Sequence, residues 1–277
     1  MFRRSCAFVL LVWCSSVWAW GSVGHAAIAE IAEHRLTPGA LAAVAEILGP
    51  GHSLASTASW ADEVRESQPS TAAWHYVNMP LADDHYDPAV HCKAKRNGDC
   101  IVAALDRLHD ELRCASSSAR RREALLWVVH LMGDIHQPMH AYGDRQGANG
   151  VPVTMTARGL AAKLPSVRSN LHAAWDEGLL HQMTWSWGAL VTRVEDGWMK
   201  TEGAQASGLD LGTPRSWAEE THAVAQRVSQ IQPADGVLDD KYLTQAMPML
   251  DRQLGVAALR LARVLNDAFM SSECPRP

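Results

Sequence analysis

Apolar residues recur at three- and four-residue spacing along nearly the whole chain, and that period leaves a chain of this kind one economical solution, helix packed on helix. The pattern runs through 22–36, 38–48, 56–66, 99–113 and 118–135, and it returns at 216–228 and 238–269. Thr37-Pro38 and Gly49-Pro50-Gly51 punctuate it, and Pro248 is expected to break the last segment. Alternation occurs only over 150–157, through Val151, Val153 and Met155, so at most one small β-hairpin is expected. The stretch 67–97 is rich in Pro, Asp, Asn and His without a period and reads as a long functional loop over one side of the helices. The expected fold class is therefore all-α, a single mostly helical domain.

The first 19 residues read as a secretory leader. Arg3 and Arg4 give a positive start, Ala7–Trp13 an apolar stretch, and Val17-Trp18-Ala19 a cleavage tripeptide ending in a small residue. Cys14 is followed by Ser15, which does not favour a lipid-anchored alternative. Cleavage would leave a domain over 20–277 with Trp20 as its first residue, and a periplasmic or secreted product is expected. No later segment reaches the ~20 apolar residues of a membrane span.

Losing Arg3 and Arg4 takes the formal charge from −5 to −7, a poor basis for binding nucleic acid or anionic lipid through a basic surface. Bound divalent cations would reverse that sign locally, so a phosphate substrate is not excluded. Cys92, Cys100, Cys114 and Cys274 remain after the leader. Cys92 and Cys100 flank a polar loop and suit a local bridge, leaving Cys114 and Cys274 to tie the tail back, although four cysteines allow three pairings.

The His-x3-Asp pairs His130/Asp134 and His172/Asp176 each return to one helix face. About one such pair is expected by chance, so the spacing alone decides little. More informative is that both have further imidazoles nearby. His140 follows Asp134 beyond Pro138, where the chain turns back, and Asp62 and His75 add donors from separate segments. At the chain start, a free Trp20 amine, its carbonyl oxygen and His25 form another set of neutral donors suited to zinc. His34, His52, His85, His91, His109, His181 and His222 read as ordinary solvated or hydrogen-bonded residues. His136 reads as an outer donor near Asp134, and Trp185, Trp187, Trp198 and Trp217 as core.

The motifs taken in order are Trp20-Gly21-x-x-Gly24-His25, Ser59-Trp60-Ala61-Asp62-Glu63-x-Arg65, Trp74-His75-Tyr76-x-Asn78, His130-x-x-Gly133-Asp134-x-x-Gln137-Pro138-x-His140 and Asn170-Leu171-His172-x-x-Trp175-Asp176. Together they resemble the S1/P1 nuclease family. The resemblance implies a mostly helical fold, shared in outline with zinc phospholipase C, and three zinc ions. Asp62, His75, His130 and Asp134 would hold one ion. Trp20 and His25 would hold a second, with Asp134 bridging the two, and His140, His172 and Asp176 would hold the third. It also implies a phosphodiesterase acting on single-stranded DNA and RNA, and on 3′-mononucleotides, with Arg65 stabilising charge that builds on phosphate.

Base binding carries over less completely. Tyr76 matches a position on which a nucleobase stacks. The Gly-Gly-Asn element reads Gly147-Ala148-Asn149 here, so one glycine is replaced. Asn78 stands where fungal members have Asp, and an amide donates as well as accepts. Two other readings compete. A phospholipase C-like phosphodiesterase is opposed by the short Trp20-to-His25 spacing, by Asp176 in place of Glu, and by Tyr76 with Asn149. A non-catalytic zinc-binding protein has no use for an open coordination position or for Arg65.

Overall fold

The computed structural model describes residues 20–156, 166–184, 186–201, 204–270 and 274. The expected leader, Ala157 and Trp185 lie outside them. Helix α1 (Gly21–Glu33) is followed by α2 (Pro38–Leu48), α3 (Leu54–Thr57), α4 (Trp60–Val64), α5 (Pro88–His91), α6 (Ile101–Cys114) and α7 (Ser118–Asp134). After a small sheet come α8 (Leu171–Ala173), α9 (Leu179–Met183), α10 (Trp187–Asp196), α11 (Pro214–Ile231) and α12 (Asp240–Met270).

The boundaries follow local chemistry. Thr37 caps α2 by accepting from the Ala40 N–H at 3.2 Å, with Pro38 opening the helix where its missing N–H costs nothing. Thr213 and Ser216 form a reciprocal cap at the start of α11. Helix α7 is buried at every residue from Ala124 to Asp134, as expected of a helix with neighbours on all sides. It packs against α6, α12, α4 and α2, while α1 packs against α12, α10, α3 and α7. These two central helices carry His25, His130 and Asp134.

Three sequence expectations need correction. The segment 56–66 is not one helix. It breaks at Ala58-Ser59, the Asp62 N–H turns to the Ser59 carbonyl at 3.1 Å, and the freed Ala58 carbonyl accepts from His130 Nδ1 at 2.8 Å. A tertiary bond has displaced a helical one. Nor does Pro248 break the last helix. It sits on the exposed face of α12, where the carbonyl it leaves unpaired meets water, while Ala246 and Leu250 beside it stay in the core.

The third correction concerns the sheet. The expected hairpin pairs β1 (Pro152–Met155) with β2 (Val167–Asn170) in antiparallel register, Val153 opposite Ser169. A third strand, β3 (Val237–Leu238), joins β1 in parallel. Two residues are too few to show a period. The stretch 67–97 contains a 3₁₀ turn, Pro69–His75, and the single turn of α5. Disulfides join Cys92 to Cys100 and Cys114 to Cys274, with Cα separations of 5.0 and 5.5 Å. Among the described residues no helix is long and apolar enough to cross a membrane.

Candidate metal centre

Tryptophans in the motifs bracket the donor-bearing segments. Trp20 is fully buried and donates Nε1–H to the Gly133 carbonyl at 2.8 Å, which ties the start of α1 to the residue before Asp134. Trp60 and Trp74 pack edge-on against Trp127 of α7 at 5.7 and 5.1 Å, holding the segments of Asp62 and His75 against that helix. Trp175 donates to the Tyr242 hydroxyl at 2.7 Å, anchoring the Asp176 segment on α12.

Glycines set the approach distances. A β-carbon at Gly133 would lie 2.6 Å from His25 Nδ1, and one at Gly24 would lie 2.8 Å from the Trp20 Cβ. Gly133→Ala should therefore push His25 away, destabilise the fold by about 1–3 kcal/mol, and lower nuclease activity roughly tenfold for each ~1.4 kcal/mol lost at the transition state. Thermal melts and initial rates, compared with a Gly39→Ala control where nothing crowds the added methyl, check this.

The donors converge in three groups, His25/His130/Asp134, Asp62/His75/His130 and His140/His172/Asp176, within each of which the potential ligand atoms lie within 4.8 Å of one another. Asp134 is at the centre. Its Oδ1 lies 3.3 Å from His25 Nε2 and 3.7 Å from His140 Nδ1, and its Oδ2 lies 2.9 Å from His75 Nδ1 and 3.2 Å from His130 Nε2. His25 stacks on His130 with ring centres 4.0 Å apart. In the third group, His172 Nε2 is 3.2 Å and His140 Nε2 3.9 Å from Asp176. His172 lies in a short α-helical turn, α8, and Asp176 lies in the π-helical turn that follows, Ala174–Gly178. Such turns recur at functional sites because the extra residue re-aims a side chain.

Three imidazoles have one nitrogen pinned from behind. Nδ1 of His130 faces the Ala58 carbonyl at 2.8 Å, Nδ1 of His140 the His75 carbonyl at 2.6 Å, and Nδ1 of His172 the Gly147 carbonyl at 2.5 Å. A carbonyl only accepts, so Nδ1 must carry the proton in each case, and the Nε2 lone pair is left for the centre. Gly147 delivers its carbonyl from a run of four left-handed residues, Arg145 to Ala148. Ala148 holds that conformation without the glycine the family pattern has there.

Within the three groups, both ring nitrogens of His25, His75 Nε2, Asp134 Oδ1 and Asp176 Oδ2 are buried without a hydrogen-bond partner. His25 Nε2 and Asp134 Oδ1 are within ion-pair distance yet are not aligned to share a proton. Such orphans are costly unless something positive meets them. Burial holds the His25 and His75 imidazoles below their ordinary pKa and takes His140 down to about 3 and His172 to about 4. These rings offer lone pairs at neutral pH. Burial also raises the Asp176 carboxyl well above its usual range, so it ionises there only beside added positive charge. His130 behaves differently, since burial opposes its proton but Asp134 and Asp62 overcome that and raise it to about 9. The chemistry of the donors and the orphaned atoms fits divalent cations.

The remaining expected residues border this centre. Arg65 ends α4, half-buried, close enough for its charge to oppose protonation of His172. After His75 the chain is extended, so residues alternate between inside and outside. Val77 is buried and bonds the His140 carbonyl at 2.8 Å, whereas Tyr76 is half-buried and Asn78 exposed. Asn149 Nδ2 lies 3.2 Å from His172 Nδ1 and donates to the Gln146 carbonyl at 2.9 Å.

His136 is corrected: it faces away from Asp134, bonding the Met132 carbonyl at 2.7 Å and Arg260 at 3.1 Å. None of His34, His52, His85, His91, His109, His181 and His222 joins the three groups. Trp217 is core and Trp198 half-buried, but Trp187 is exposed and bonds Glu30. Sequence spacing alone gave no role to Gln137, yet its amide bonds Asp176.

The family model described as S1/P1 Nuclease matches residues 20–270. The chain belongs to the S1/P1 nuclease family. It is 28% identical over 296 residues to Endonuclease 2 of Arabidopsis thaliana, covering 94% of this chain and 96% of that one. It is likewise 28% identical over 277 residues to Nuclease P1 of Penicillium citrinum, covering 90% and 97%. With Nuclease S1 of Aspergillus oryzae the identity is 23% over 278 residues, covering 90% and 91%. Membership in the S1/P1 nucleases makes the chain a hydrolase of nucleic acid, and the match begins at Trp20, the residue that follows the expected leader.

Proposed function

We propose that this nuclease is a secreted or periplasmic zinc enzyme that hydrolyses single-stranded DNA and RNA, and 3′-mononucleotides, leaving 5′-phosphate products, once residues 1–19 have been removed. The convergence of eight His and Asp donors from five separated segments on one centre supports this reading, with the orphaned atoms described above. Asp62, His75, His130 and Asp134 would hold one of three zinc ions. The Trp20 amine and carbonyl oxygen with His25 would hold a second, sharing Asp134, and His140, His172 and Asp176 a third. Bound there, zinc supplies Lewis acidity that makes water a nucleophile at neutral pH and offsets charge on phosphate and on the departing oxygen.

The chain's own groups do the rest. The backbone carbonyls of Ala58, His75 and Gly147 fix the imidazole tautomers. Asp62 and Asp134 place negative charge where cations are to be held, and Arg65 supplies a fork of donors to a phosphate oxygen as charge builds. Tyr76 offers its ring face to a base, which favours no single base strongly, and Asn78, Gly147 and Asn149 border the same entrance.

Because Asp134 and the donors around it are buried, a phosphate must be brought inward past Tyr76, so a paired strand first pays an opening cost of a few kcal/mol. Single strands should be cut at least about tenfold faster than stable duplex of the same sequence. The test is digestion of matched DNA and RNA, single-stranded and annealed, with end-group analysis of the products, before and after chelation and zinc return. Equal rates on stable duplex would remove this picture of the entrance. Products with 3′ phosphates, or activity that survives chelation, would overturn the chemistry.

A further inference from the structure

Gln137 is fully buried and both ends of its amide are used. Oε1 accepts from the Met139 N–H at 2.5 Å, and Nε2 donates to Asp176 Oδ1. An N–H can only be met by the amide oxygen, so the first bond fixes which way the amide points and leaves the NH₂ no choice but Asp176. Gln137 also caps the turn Pro138–Ala141 that presents His140. One side chain thus links the segment of His140 to that of Asp176, two donors far apart in sequence. It also assigns work to the two Asp176 oxygens. Oδ1 is engaged, while Oδ2 has no hydrogen-bond partner and lies 3.2 Å from His172 Nε2.

We infer that Gln137 is a positioning residue for the third metal group, holding Asp176 by Oδ1, the oxygen 3.9 Å from His140 Nε2, so that Oδ2 is presented beside His172. A neutral amide suits this task, because it restrains the carboxylate without neutralising it, whereas Lys or Arg there would compete with the cation. The inference rests on the proposed three-zinc reading. Its consequence is local: loss of the donor should weaken the ion held by His140, His172 and Asp176 by about 10–100-fold and leave the Asp134-centred ions in place.

Two variants separate positioning from folding. Gln137→Glu keeps the acceptor for Met139 N–H and removes the donor to Asp176, and Gln137→Met removes both at similar volume. Zinc per chain is measured at buffered free zinc for wild type and both variants, with melts of the chelated proteins and rates across a zinc series. The expected result is three zinc ions in wild type and two in each variant at zinc levels that just saturate wild type. Excess zinc should restore turnover, and each chelated variant should still melt in one cooperative transition. Retention of the third ion at wild-type affinity would overturn the inference, as would loss of all ions together with loss of that transition in the chelated Gln137→Glu protein. Fewer than three ions in wild type would instead remove the reading on which it rests.

Discussion

Asp134→Asn is expected to reduce turnover by about a thousandfold or more, equivalent to ~4 kcal/mol at the transition state, and to release metal from two of the three groups. No other side chain touches so much of the centre, with His25, His75, His130 and His140 all within 3.7 Å of its two oxygens. Burial alone would favour its neutral form, but the charged His130 overcomes this and keeps the carboxyl well below its ordinary range. Asparagine removes the charge and turns an NH₂ toward lone pairs that also need a cation. Zinc counting and single-turnover rates check the result. Asn78→Ala is the counterpart, since that side chain is exposed and, on the proposed reading, meets only the base, so the change should alter base preference more than turnover on a good substrate. Equal collapse of turnover in both would give Asn78 a chemical role.

Extending the chain by one residue before Trp20 is expected to cost about one zinc per chain and most of the activity, roughly a hundredfold or more, because the terminal amine becomes an amide with almost no donor strength. Trp20 cannot slide to make room. Its ring is fully buried and its Nε1–H is committed to Gly133. Trp20 also has a φ of 30°, unusual for a bulky residue, and that torsion exists only while another residue precedes it. A chain that begins at Trp20 escapes the constraint. Mass spectrometry of the terminus, zinc content and rates for the exact and the extended forms decide the matter. Full activity with unchanged zinc in the extended form would take Trp20 out of the ligand set.

Eight of the nine expected donors come together in the structure, and they were legible in the sequence because each motif also carries the tryptophan or glycine that seats it. Trp60 beside Asp62 and Gly133 beside Asp134 are packing devices, and both sit inside the pattern that identifies the site. What periodicity missed was decided across space. The interruption at Ala58 answers to His130, and Pro248 is tolerated because its side of α12 is wet. His136 was misread because it lies in the turn just past the end of α7, which carries it to the Met132 carbonyl and Arg260 rather than to Asp134. Gln137 was silent because nothing in one sequence shows that Asp176 lies opposite it.

The pairing of α1 with α12 has a consequence for how the molecule assembles. The first helix described has its most extensive packing with the last, and nine of the residues of α1, from Gly21 to Ala32, are buried. A growing chain therefore carries an apolar helix that has no complete seat until almost every other segment has arrived. Contacts of such long sequence separation form late and slowly. The centre built on α1 cannot be finished by the N-terminal half alone, even though every donor lies before Glu177. Loss of α12 would leave an exposed, aggregation-prone helix rather than a smaller working enzyme.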